Sequence, residues 1–109
     1  MSTRANIIIK DDADQLIFYR HCDGYPEGTM PTLNKFLDLV KGGLIRDNVG
    51  QAAGWLIIIG HIEQEKGLPE SQYNSWKVGA YEPTTCIHSD IEYKYTIDLV
   101  NKMIITEEV

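Results

Sequence analysis

Several things are scarce in this chain, and each scarcity removes a class. Cys22 and Cys86 are its only cysteines, with no CxxC pair, so neither a disulfide framework nor a zinc site of usual ligand spacing can be assembled. Long apolar runs are missing too. The longest, Trp55 to Ile59 between Gly54 and Gly60, is far too short to cross a bilayer, which excludes a transmembrane segment. The start of the sequence lacks the basic-then-apolar pattern of a signal peptide, so the expectation is a cytoplasmic protein with reduced thiols and no membrane partner. Basic charge is also short. Net charge is −6, with six basic against seven acidic side chains in residues 1 to 50 and four against nine in residues 51 to 109. Binding to a nucleic-acid backbone relies on a basic surface, so direct DNA or RNA binding is not expected.

What remains is one globular domain's worth of material: 109 residues, 43% of them hydrophobic, with no repeat or linker. Arg4 to Lys10 is rich in β-branched residues and Gln15 to His21 alternates, with Asp11-Asp12-Ala13-Asp14 as the connection, predicting an antiparallel hairpin. Both strands carry apolar residues on both faces, so part of the second face should also be covered, with the helices as the expected cover. Leu33, Phe36, Leu37, Val40 and Leu44 recur at helical spacing from a start near Thr29-Met30-Pro31 to a stop at Gly42-Gly43. Asn48 with Gln51 has the form of a capping box for a second helix, along which Val49, Ala52, Ala53, Leu56, Ile59 and Ile62 share a face. Gly67 would close it, with Leu68 folding back on Ile62 and Pro69 blocking continuation. Period two returns at Trp76, Val78 and Ala80, then through Ile91, Tyr93, Tyr95 and Ile97, and last over Lys102 to Thr106. The predicted fold is α+β, a five-stranded, largely antiparallel sheet with two helices in the order ββααβββ.

The stretch richest in chemistry is Arg20-His21-Cys22-Asp23-Gly24-Tyr25-Pro26-Glu27-Gly28, between the second strand and the first helix. The two glycines offer unusual backbone angles, and Pro26 pushes Tyr25 toward an extended conformation. Read as a ligand site, Arg20 would pair with a phosphate or carboxylate, Tyr25 would stack on a ring, and free amides at Gly28 and Thr29 would face an anion. Arg4 joins this surface if the first strand pairs beside the second. The same residues also make an ordinary turn, with Asp23 bonding the following amides and His21 a carbonyl. A repeated spacing, His21-Cys22-Asp23 and His88-Ser89-Asp90, would bring two imidazoles and two carboxylates together if the strand ends meet. Those groups could then act as acid, base or metal ligands. Cys22 has no defined base or orienting partner in the sequence, which argues against a nucleophile.

The opening Met1-Ser2-Thr3-Arg4, a hairpin, and then His21-Cys22-Asp23-Gly24-Tyr25-Pro26 resemble a loose group of small proteins encoded by tailed phages and prophages. The likeness covers roughly the first half, as far as Gln51-Ala52-Ala53-Gly54-Trp55. It implies a phage accessory role in the host cytoplasm and brings no reaction or cofactor with it. The expected function is anti-defence binding, by sequestering a small nucleotide-like signal or docking on a host defence protein. Arg20, His21, Asp23, Tyr25 and Arg4 are the expected ligand-binding residues, no residue is assigned as catalytic or metal-binding, and a homo-oligomer would enclose a small ligand most fully. The competing expectation is a phosphodiester or nucleotide hydrolase using His21 and Asp23 with His88 and Asp90.

Overall fold

Asp11 sets the first turn of the chain. Its carboxylate accepts from the amides of Ala13 (2.8 Å) and Asp14 (2.7 Å), while its own amide reaches the Asp14 carbonyl. This closes a hairpin between β1 (Ala5–Lys10) and β2 (Gln15–Arg20). The computed structural model describes residues 3–65 and 80–109, and within these the expected order holds: α1 (Pro26–Lys41), α2 (Val49–Glu65), β3 (Glu82–Thr84), β4 (Tyr93–Asp98) and β5 (Met103–Glu108) complete the fold. The expected cap at Gly67 to Pro69 and the strand positions Trp76 and Val78 lie outside the described residues. The sheet runs β3-β2-β1-β4-β5, antiparallel except where β1 and β4 pair in parallel at its centre.

Helix α1 begins earlier than the apolar stripe suggests. Pro26 occupies its first turn, where a missing N–H costs nothing, and Tyr25 before it is extended (φ −69°, ψ 157°), as the residue preceding a proline should be. Pro31 falls inside the helix on its exposed side. The C-terminus is a Schellman motif: Gly43 takes φ +78°, its amide bonds the Val40 carbonyl, and the Leu44 amide bonds that of Leu39. Leu44 is therefore past the helix and 77% exposed, and Ile45 enters the core where the stripe predicted Leu44.

Helix α2 is capped from two elements. The Asn48 side-chain oxygen accepts from the Gln51 amide, and Asp11, from the first hairpin, accepts from the Val49 amide (3.2 Å). The amides of Asp14, Ala13 and Val49 hold the Asp11 carboxyl below its ordinary value of 3.8, that of Asp14 contributing most. A carboxyl whose pKa falls on folding contributes stability that is fully present above the unfolded value and is lost as pH drops through the folded one. Asp11→Ala is therefore expected to lower the melting temperature at neutral pH. The deficit should shrink as pH falls below the ordinary carboxyl value of 3.8, because the wild type loses the same contribution; a deficit constant across pH would contradict this. On α2, Val49, Ala52, Ala53, Leu56 and Ile59 are buried, whereas Ile62 is 56% exposed and leaves the expected face.

The registers sort the strand residues by face. Ala5, Ile7 and Ile9 on β1, Phe18 on β2, and Tyr95 and Ile97 on β4 are buried in one cluster with both helices. Tyr95 is fully buried and Tyr93 packs at the edge of that cluster, so these aromatics are core. Both helices pack on this face. The other face carries Asn6, Ile8, Ile17, Tyr19, Lys94 and Thr96, and among the described residues the helices pack on the opposite face, contrary to expectation. Its cover at Tyr19 comes from the connection between β3 and β4.

Candidate functional site

The turn after β2 is fastened through its backbone. Asp23 adopts φ +58°, a conformation that aspartate tolerates better than most residues, and its carbonyl accepts from Thr29 Oγ1 (2.8 Å) and Arg20 Nε (3.3 Å). The Gly24 amide donates to the Thr3 carbonyl (2.9 Å), and the Gly24 carbonyl accepts from the Tyr95 hydroxyl (2.6 Å), whose pKa burial pushes up to about 12. Neither glycine here has positive φ, contrary to expectation. They are needed for space: a Cβ at Gly24 would lie 2.8 Å from the Ala5 Cβ and the Thr3 carbonyl, and one at Gly28 would lie 2.8 Å from the Asp23 carbonyl. The Gly28 and Thr29 amides, expected to be free for an anion, both bond the Tyr25 carbonyl (3.0 Å each).

This fastening divides the expected site residues between two faces. Arg20 points to the helix side, where its guanidinium lies 5.1 Å from the centre of the Tyr81 ring and its Nη1 donates to the Ala80 carbonyl (3.3 Å). Asp23 and Tyr25 belong to the turn and to the start of α1, the Tyr25 ring lying against Gly28. On the other face Tyr19 is the common neighbour: its hydroxyl lies beside His21, and it feels the charge of Arg4.

Tyr19 stands on the helix-free face beside Asn6, its register partner. Its hydroxyl is 3.0 Å from His21 Nδ1, and its ring is stacked by His88 with centroids 4.1 Å apart and planes at 12°. Burial pushes the Tyr19 phenol up against the opposing effect of Arg4, so it stays protonated at neutral pH. His88 is held from below by Asn6, which is fully buried: Asn6 Oδ1 accepts the His88 amide (2.8 Å) while its Nδ2 donates to the Phe18 carbonyl (2.9 Å). Thr84 Oγ1 is 3.2 Å from His88 Nε2. Asp90 completes the segment by accepting from Arg4 Nη1 (2.7 Å), with its other oxygen 4.0 Å from His88 Nδ1. The remaining donor of this guanidinium group that is withdrawn from solvent, Arg4 Nε, has no hydrogen-bond partner among the described residues.

The strand ends therefore do meet: His21 and His88 flank one tyrosine. Asp90 lies 4.0 Å from His88 Nδ1 and pairs with Arg4, whereas the backbone of Asp23 is committed to the turn. Among the described residues no three His, Cys, Asp or Glu side chains are grouped to hold a metal. What the patch offers is an aromatic face, two imidazoles and a guanidinium, with Glu82 opposite Tyr19 and Asp90 on Arg4 as its carboxylates. Sequence reading missed Tyr19 and Asn6, which it placed simply as strand residues. The available signal was strand alternation, which puts Tyr19 on the face of His21 and opposite to Arg20. No family model matches the chain, and neither does any curated protein or solved structure. No helix among the described residues is long and apolar enough to cross a membrane.

Proposed function

We propose that this chain is a non-catalytic binding protein for a small, anionic, ring-bearing ligand of nucleotide type, serving a phage as an accessory factor that sequesters a host signal. The observation that carries the reading is the juxtaposition of a flat aromatic stack with a guanidinium that keeps one buried donor unpaired. Ring stacking is tolerant of base identity, and a guanidinium pairs well with phosphate oxygens. Tyr19, whose ring is stacked by His88, supplies the ring surface, Arg4 the anion contact, and His21 the polar edge through Tyr19. Arg20, Asp23 and Tyr25 fix the turn that places His21.

Calorimetric titration with adenosine 5′-monophosphate, adenosine and inorganic phosphate tests this. The monophosphate should bind more tightly than either part. Arg4→Ala should reduce its affinity by about 10- to 100-fold, toward that of adenosine, as expected for a lost hydrogen bond to a charged group. Tyr19→Ala should weaken adenosine and monophosphate alike, and the nucleotide should be recovered intact. Equal binding by wild type and Arg4→Ala, or turnover at sub-stoichiometric protein, would refute the reading.

A further inference from the structure

The ligand site just proposed is already filled by the chain's own side chains, in a form that imitates the ligand. His88 lays a flat heteroaromatic ring on Tyr19, and two residues on, Asp90 delivers an anion to Arg4. Ring nitrogen and carboxylate oxygen are 4.0 Å apart. We infer that the His88-Ser89-Asp90 segment is an internal competitor, its imidazole in the place of the ligand's ring and its carboxylate in the place of the ligand's phosphate, and that a ligand binds by turning these two side chains out. This rests on the ring-and-anion reading above and adds to it how the site is regulated.

Three observations support displacement over simple addition. First, the ion pair to be broken is weakly held. Asp90 and Arg4 have side chains 49% and 39% exposed, and exposed ion pairs contribute little. Second, the backbone need not move. The His88 amide is anchored on buried Asn6, so rotation of the two side chains alone uncovers the Tyr19 face and the guanidinium. Third, the local charge favours it. The carboxylates of Glu82 opposite Tyr19 and Asp90 on Arg4 outnumber the single guanidinium, and a phosphate meets less repulsion once Asp90 withdraws. A ligand with a ring alone would gain from displacing His88 but leave the Asp90 pair in place, so the segment also selects for ligands that carry both groups.

The test uses the full chain and adenosine 5′-monophosphate as probe, with adenosine as the ring-only control. Asp90→Asn preserves shape and removes the competing charge. It should tighten monophosphate binding by about 1.5- to 5-fold, the range available from an exposed ion pair, and leave adenosine unchanged. His88→Ala should tighten both probes, because it frees the Tyr19 face. The thermal melt of Asp90→Asn should match the wild type closely, since that ion pair lies at the surface. If Asp90→Asn leaves monophosphate affinity unchanged or His88→Ala weakens it, the ligand adds to the segment instead of replacing it. That outcome overturns the inference and leaves the proposed function standing. If neither wild type nor variants bind this or any other nucleoside monophosphate, the proposed function falls and this inference falls with it.

Discussion

Gly60→Ala is expected to destabilise the fold by about 3 kcal/mol, the upper end of the cost of overpacking a core. Gly60 lies on the buried side of α2, and the Tyr81 ring is seated directly on it, so that an added Cβ would clash with the ring's Cδ2 and Cε2. Neither partner can yield cheaply. Tyr81 is 3% exposed and lies under the Arg20 guanidinium, while Gly60 sits between buried Ile59 and the rest of a regular helix. Alanine otherwise favours a helix over glycine by about 1 kcal/mol, so propensity alone predicts the opposite sign. Chemical denaturation distinguishes the two, and a variant as stable as the wild type would show that the ring does not pack there. Because Arg20 also holds the Asp23 carbonyl, the same substitution should loosen the turn that presents His21.

Asn6→Ala should cost a similar amount, about 3 kcal/mol, by a different route. It removes no charge and little volume. It does strip the partner from two groups at once, the Phe18 carbonyl and the His88 amide, in a place where Asn6 itself is fully buried. The consequence extends beyond stability, since Asn6 is what ties the connection between β3 and β4 to the centre of the sheet. Hydrogen exchange at the His88 amide should accelerate in Asn6→Ala under conditions where the amides of β1 and β4 remain protected. Uniform acceleration across the sheet would instead indicate global destabilisation, with no particular role for Asn6 at the site.

The frame of this fold could be read from local rules because its elements are locally specified. The apolar period of α1, the Asn48 cap of α2 and the glycine pair that ends α1 each act within a few residues. Sequence went astray where a signal has two physical meanings. Gly24 and Gly28 read as sources of unusual backbone angles, but the positive φ falls on Asp23 and the glycines serve close approach. Leu44 continues a helical count on paper, yet a Schellman turn intervenes. For the site, the repeated His-x-Asp spacing was visible, and its meaning was not. Whether His88 meets Tyr19 depends on β1 lying between β2 and β4, a long-range pairing that no local pattern encodes. Arg20 looked like an anion contact because its neighbours are polar. Its partners, Tyr81 and the Ala80 carbonyl, are distant in the chain and came within reach only on folding.

The central claim is that Tyr19 and Arg4 capture a small ring-bearing anion without transforming it. The most direct measurement is to incubate the purified chain with a deproteinised extract of phage-infected cells, remove free solute, denature the protein, and identify what is released by mass spectrometry. The account predicts a phosphate-bearing heteroaromatic molecule, released chemically intact in stoichiometric amount from the wild type and absent from Tyr19→Ala and Arg4→Ala. Release of the same molecule from all three proteins, or of its hydrolysis products alone, would contradict it.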